Sequence, residues 1–249
     1  MTEERNKIYF ASDFHLGSGS LPESKERERK IVQWLEKIRH EASEVFLVGD
    51  VFDYWFEYKE TIPKGYSRLF GTIASMADDS VQFHFFTGNH DIWVRNYCKE
   101  EFGMKIYTKP QLFDRFGKKI FVGHGDGLGP SDHGYKLIKG VLTNPLAKWL
   151  FARIHPNTGL AIMRMASKSS RMTGREEGIS DMSKEWLVNF CETYISKFEA
   201  PDYFVFGHRH IPISHQLSNG KSIYFNLGEW WQSCSYLEGS QEGFVLKFS

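Results

Sequence analysis

Short apolar runs recur along this chain, most broken off by Gly, Asp or His. Between them lie longer stretches whose apolar residues return every three or four positions. The first run, Lys7–Ser12 (KIYFAS), predicts a buried strand with Asp13 at its C-terminal end. Pro22–His40 puts Ile31, Trp34, Leu35 and Ile38 on one face and predicts a charged amphipathic helix. Val45–Val48 predicts a strand ending at Gly49-Asp50, Tyr66–Ala77 a helix, and Val81–Thr87 a strand ending at Gly88-Asn89. Phe113–Arg115 and Lys119–Val122 flank Gly117 and predict a hairpin whose second strand stops just before His124. Ser183–Phe198 reads as a helix and Tyr203–Phe206 as a strand ending before His208. Ser214–Leu217 and Ser222–Asn226 flank Asn219-Gly220, a strong hairpin signal, and Phe244–Phe248 is a last strand.

Strands rich in β-branched and aromatic residues alternate with helices, which predicts a layered α/β architecture. The closer spacing of strands toward the C-terminus predicts a second, mixed or antiparallel sheet. One stretch breaks the rhythm. Ser131–Arg175 holds no convincing strand, eight Lys or Arg and one acidic residue, Asp132. Much of the rest is apolar, including Leu142, Trp149, Leu150, Phe151, Ile162 and Met163. It reads as two or three short helices inserted as a cap, about 131–180, in a single domain spanning 1–249.

Composition narrows the class. Hydrophobic residues make up 41% of 249, enough for a sizeable core, and Lys+Arg equals Asp+Glu at 31 each, so no overall field favours nucleic acid. Cys98, Cys191 and Cys234 are far apart and odd in number, as expected of reduced thiols in a cytoplasmic protein. No leader peptide and no apolar stretch near 20 residues is expected.

Five segments carry the candidate chemistry, each following a predicted strand: Asp13-Phe14-His15, Gly49-Asp50-Val51-Phe52-Asp53, Gly88-Asn89-His90-Asp91, Gly123-His124-Gly125-Asp126 and Gly207-His208-Arg209-His210. Ligand sites gather at the carboxyl ends of strands in α/β sheets. Residues i and i+2 of an extended segment point the same way, so Asp13 with His15, and His208 with His210, each form a clip. The expected arrangement is one ion on Asp13, His15, Asp50 and His210, and a second on Asp50, Asn89, His124 and His208. Two ions about 3.5–4 Å apart suit in-line attack on phosphate esters. Oxygen and nitrogen donors without thiolate suit Mn²⁺, Fe²⁺ or Zn²⁺. His90 is expected to donate to the phosphoryl oxygen or leaving group, with Asp53 orienting its ring. His40, His84, His133, His155 and His215 have no partner pattern and read as ordinary.

These segments resemble the calcineurin-like metallophosphoesterase superfamily, whose pattern runs D-x-H, G-D-x-x-D, G-N-H-D/E, G-H, G-H-x-H, over about Lys7 to Gly228. The resemblance implies a β-sandwich flanked by helices around a dinuclear metal site. Gly49-Asp50-Val51-Phe52-Asp53-Tyr54-Trp55, His124-Gly125-Asp126-Gly127-Leu128, the cap and Gly228-Glu229-Trp230 look most like the UDP-2,3-diacylglucosamine pyrophosphohydrolases of lipid A synthesis. That likeness implies attack of water at the α-phosphorus, giving UMP and 2,3-diacylglucosamine 1-phosphate, with Mn²⁺ as the usual metal. It also implies substrate contacts at Asn89, His90, Asp132, Tyr135, Arg164, Ser167, Arg171 and His208. Many members carry Arg and Thr where this chain has His90 and Arg209.

The basic, apolar cap independently suits a ligand with acyl chains and a diphosphate, and a peripheral position on an anionic membrane surface. An ordinary helical hairpin with solvated lysines remains the plain alternative for it. A soluble phosphoprotein phosphatase or cyclic-nucleotide phosphodiesterase, a nuclease, and a non-catalytic scaffold of the same fold also stay open at this point. The sequence sets no oligomeric state.

Overall fold

The computed structural model describes residues 5–129, 139–173 and 181–249, with side chains through Ser169 in the middle segment. Its first sheet runs β11-β10-β1-β2-β3-β4. The strands are β1 (Lys7–Ala11), β2 (Ala42–Val48), β3 (Gln82–Phe86), β4 (Lys105–Tyr107), β10 (Ser235–Ser240) and β11 (Gly243–Phe248). β1 to β4 are parallel, and β10 and β11 add an antiparallel edge. The second sheet runs β5-β6-β7-β9-β8. It comprises β5 (Gln111–Arg115), β6 (Lys118–Val122), β7 (Tyr203–Phe206), β8 (Pro212–Gln216) and β9 (Ile223–Leu227). There β6, β7 and β9 are parallel and the two outer strands antiparallel.

Strand alternation builds the layers. Ile8 and Phe10 of β1, Phe46 and Val48 of β2, and Val205 of β7 share the core between the sheets. Their neighbours Tyr9, Ala11, Val45 and Leu47 face outward, toward α1 (Leu21–Ile38) and α2 (Ser67–Asp78). On the far side, Phe204 and Phe206 pack with Leu187, Val188 and Cys191 near the start of the last helix, Trp186–Ile195. The order is therefore helix, sheet, sheet, helix, the layered α/β sandwich expected from the sequence. Ser20 starts α1 by a capping box with Glu23, and the first helical turn carries Pro22.

Three elements escaped the sequence pattern: α3 (Tyr97–Phe102), β4 and β10. The first two are only six and three residues long, too short for a period to register. β10 reads SYLEGS, and its place beside β1 rests on partners at the other end of the chain. The second sheet is mixed, as expected, but the last two strands return to the first sheet.

The cap is helical. Residues 139–143 form a short helical stretch, followed by α4 (Pro145–Phe151), capped by the Asn144 side chain, and α5 (Pro156–Thr173). Phe151 packs on Phe56 and Trp93, each at 4.8 Å between ring centroids, and Trp93 Nε1 donates to Leu142 O at 2.7 Å. Trp186–Ile195 is α6. Among the described residues no helix is long and apolar enough to cross a membrane.

Candidate metal centre

Five parallel strands, β1, β2, β3, β6 and β7, end at the same edge of the sandwich, and the loop after each delivers one of the five motifs. The backbone there is forced. Among the described residues nine non-glycine residues have positive φ, and Asp13, His15, Asp50, His208 and His210 are five of them. Strained backbone of this kind persists only where surrounding structure holds it. The motif glycines give the ligands room. A Cβ on Gly88 would run into the Asp50 carboxylate, and one on Gly207 would lie 2.5 Å from Asp13 Oδ2.

Each buried carboxylate is divided between two tasks. Asp50 Oδ1 accepts the backbone N–H of His90 at 2.8 Å, leaving Oδ2 at 3.6 Å from His15 Nε2 and 3.3 Å from His124 Nε2. Asp13 Oδ2 accepts the N–H of His208 at 2.9 Å, and Oδ1 lies 3.7 Å from His15 Nε2 and 3.2 Å from His210 Nε2. His124 Nδ1 donates to the Val48 carbonyl at 2.9 Å, which turns Nε2 inward, 3.3 Å from Asn89 Oδ1. Asp13, His15 and His210 form one tight group, and Asp50, His124 and His208 another. Asp13 Oδ1 is buried with no hydrogen-bond partner among the described residues, although two imidazole nitrogens face it. Buried charges are paired or coordinate metals, and this donor set fits divalent cations.

Electrostatics agree. Burial pushes the Asp13 carboxyl up, but the facing His15 and His210 imidazoles more than reverse this and hold it well below the usual range. Asp50 behaves alike, burial being outweighed by the nearby His124 and His90. Burial lowers the His90 and His208 imidazoles to about 4, so both rings are neutral at neutral pH. Burial also lowers His124, but the adjacent Asp50 overcomes it and holds the ring well above its ordinary value. The cluster thus demands positive charge.

The Asp53 carboxylate differs from expectation. Its Oδ1 lies 3.4 Å from His15 Nδ1 and 3.8 Å from His90 Nδ1, so the closer ring is that of His15. The His90 ring lies instead with Nδ1 3.1 Å from the Asp53 backbone carbonyl and 3.0 Å from Ser167 Oγ, on cap helix α5. Arg164, also on α5, donates to the Tyr54 hydroxyl at 3.0 Å rather than into the cluster. Arg209 turns away too, pairing with buried Glu185 at 2.8 Å. Asp132 and Tyr135 lie outside the described residues, as does the side chain of Arg171.

Two supporting residues had no assigned role in the sequence reading. Asp91 is fully buried and accepts four backbone N–H groups, from Gly88 (2.7 Å), Val51 (2.8 Å), Asp50 (3.3 Å) and Phe52 (3.3 Å). Burial, then the charge of Asp50, raises its carboxyl to about 7. Arg27 Nη2 donates to the His15 carbonyl at 2.9 Å and to Ser18 O and Oγ at 3.0 and 2.7 Å. The available signal was an arginine four residues before Ile31 on the apolar stripe of α1.

Between His90 and the cap lies a cavity of about 390 Å³ whose walls include Asn89, His90, Trp93, Phe151, Ile162 and Met163. The cluster of carboxylates and histidines therefore opens directly into an apolar chamber.

Known proteins are similar to this chain in sequence. A sequence model described as calcineurin-like phosphoesterase matches residues 6–212. A UDP-2,3-diacylglucosamine hydrolase of Porphyromonas gingivalis is 35% identical over 245 residues, covering 93% of each chain. Proteins of the same name from Histophilus somni and Actinobacillus succinogenes are 27% and 26% identical. They cover 96% and 94% of this chain and 98% and 95% of their own.

Proposed function

The chain belongs to the calcineurin-like phosphoesterase family, and from that premise we propose that it hydrolyses the pyrophosphate bond of UDP-2,3-diacylglucosamine. The products are UMP and 2,3-diacylglucosamine 1-phosphate. The observation that carries the reading is the chamber under the cap, where His90 and Asn89 share walls with Ile162, Met163, Trp93 and Phe151. A soluble phosphoprotein or cyclic nucleotide has no use for such walls, whereas acyl chains are stabilised there by leaving water. The names of the full-length relatives support the same substrate.

Asp13, His15, Asp50 and His210 would hold one divalent ion, and Asp50, Asn89, His124 and His208 a second; Mn²⁺ is the proposed metal, and Fe²⁺ or Zn²⁺ also suits the donors. When bound, such ions polarise a phosphoryl oxygen and lower the pKa of water. Asp50, whose Oδ2 faces both His15 and His124, would help to hold both ions. Asp53 holds His15, and the Val48 carbonyl holds His124, so that each ring keeps Nε2 inward. Water attacks the α-phosphorus and the bond to the sugar phosphate breaks. With Nδ1–H given to the Asp53 carbonyl, the neutral His90 ring keeps Nε2 as its proton-accepting atom. An arriving diphosphate raises that affinity, and Nε2 then donates to phosphate oxygen. Ser167 ties this ring to the cap. Asp132, Tyr135, Arg164 and Arg171 remain proposed substrate contacts.

The cap exposes Val141, Leu146, Trp149, Leu150 and Met165 beside Lys148 and Arg153. This combination suits peripheral attachment to an anionic membrane, where a diacylated substrate resides. Three free, buried cysteines suit a cytoplasmic, reducing compartment. Nucleic acid is not a proposed partner.

The test is mass-spectrometric assay of UDP-2,3-diacylglucosamine hydrolysis with Mn²⁺, beside a soluble phosphodiester. UMP and acylated sugar phosphate, both lost on chelation, are the expected products. Cleavage of the soluble ester alone would discard the lipid substrate.

A further inference from the structure

The Gly228-Glu229-Trp230 segment has no part in the chemistry above, yet it is built with care. Glu229 is buried, and its carboxylate accepts the N–H groups of Trp231 (2.6 Å), Gln232 (2.9 Å) and Ser233 (2.7 Å). Trp230 is locked in the core against Phe14 and Trp34, at 5.2 and 5.1 Å between ring centroids. The turn is thus fixed from both sides, and its next residue, Trp231, is 36% exposed. Its ring packs beside two candidate ligands, His210 at 5.0 Å and His15 at 5.6 Å. An aromatic ring held rigidly at the rim of a phosphate-handling cluster is a stacking platform.

From Trp231 a groove of about 1030 Å³ runs along the first turns of α1. Its charged lining is mostly cationic: Lys25, Arg27, Arg29 and Lys30 against Glu23 and Glu26. Both carboxylates are engaged, Glu23 in the capping box with Ser20 and Glu26 with Arg29 at 3.5 Å. Arg27 is 7% exposed, and its Nε has no acceptor among the described residues.

This groove and the apolar chamber share no lining residue. His15 lies between them, its ring centroid 4.7 Å from that of His90 of the chamber and 5.6 Å from that of Trp231 of the groove. A substrate with acyl chains on one side of the reacting phosphorus and a nucleoside on the other needs two compartments of opposite character. We propose that the groove between Trp231 and the start of α1 is the nucleoside subsite, with the pyrimidine stacked on Trp231 and the cationic lining of Lys25 and Lys30 beside the nucleoside's oxygens. This rests on the substrate reading above.

The experiment is equilibrium dialysis of the Mn²⁺-loaded protein with UMP and with ribose 5-phosphate, which lacks the base. It is run on the natural protein, Trp231→Ala and Trp231→Phe, with metal content measured in each. Stacking on an aromatic side chain is worth roughly tenfold or more in affinity. The natural protein should therefore bind UMP about tenfold more tightly than ribose 5-phosphate. That ratio should fall toward one in Trp231→Ala and be partly kept in Trp231→Phe, at equal metal content. A ratio near one in the natural protein overturns the subsite. So does a ratio unchanged in Trp231→Ala, or a joint fall of both affinities and of metal content, which is what a mere prop for His15 and His210 would give. Hydrolysis of UDP-2,3-diacylglucosamine by the same preparation is scored separately. Intact hydrolysis without base preference removes the subsite alone, and base preference without hydrolysis removes the substrate reading while keeping a nucleotide site.

Discussion

The backbone N–H of His90 donates to Asp50 Oδ1 at 2.8 Å, so the loop after β3 decides which oxygen of the carboxylate after β2 is left to face the histidines. The same device recurs where the His208 N–H takes Asp13 Oδ2. Loops far apart in sequence therefore orient one another's ligands, and damage to one spreads to its neighbours.

Asp50→Ala removes the one oxygen shared by His15 and His124. Loss of an outer residue around a metal typically costs about 10–100-fold in affinity or activity, and this change should exceed that range in both. Turnover together with metal analysis of the purified variant checks it; retained metal at full activity would refute the bridging role.

Gly88→Ala drives a Cβ into the Asp50 carboxylate. Metal content and activity should fall together, while far-ultraviolet circular dichroism stays that of the natural protein, because the clash is confined to the loop edge. Normal metal loading would show that the loop has room the structure does not give it.

His90→Ala should leave metal content intact and lower turnover by about 10²–10⁴-fold, the usual range for general acid–base groups. Loss of metal in this variant would make His90 a ligand rather than a proton donor.

His84 is the titrating group to watch away from the site. Its Nε2 lies 2.8 Å from Glu44 Oε2, its Nδ1 lies 3.1 Å from the Tyr107 hydroxyl, and Arg115 Nη2 reaches Glu44 at 2.9 Å. Burial lowers the ring from 6.5 by more than Glu44 raises it, with Lys105 and Arg115 adding to the fall. The folded protein therefore binds this proton more weakly than the unfolded chain, and stability should drop as pH falls through 6.5. Burial raises Glu44, but His84 and Arg115 outweigh it and bring it from 4.5 to about 2, so a second loss follows between those values. Thermal unfolding from pH 7 to 5 should show the first slope, flattened in His84→Phe; an equal slope in both would exclude His84 as its source.

Trp149→Glu with Leu150→Glu changes two exposed cap residues. Cosedimentation with vesicles containing anionic lipid should fall for this variant, while hydrolysis of a soluble phosphodiester persists. Unchanged cosedimentation would separate the cap from the membrane.

The sequence by itself determined the strands that carry the site. The short apolar runs of β1, β2 and β7 are a local signal, and each run ends at its motif because a parallel strand must stop where its loop begins. It also singled out the candidate ligands, since Asp, His and Asn directly after buried strands have few other uses. The partners of those residues were decided only in three dimensions. That Asp53 lies closer to His15 than to His90, that Asp91 gathers four N–H groups, and that Arg209 turns to Glu185 depend on loops brought together from separate parts of the chain. β4 and β10 were likewise settled by the strands beside them. Periodicity reports which face of an element is buried, whereas hydrogen-bond partners depend on register and loop path, which only the packed sheets fix.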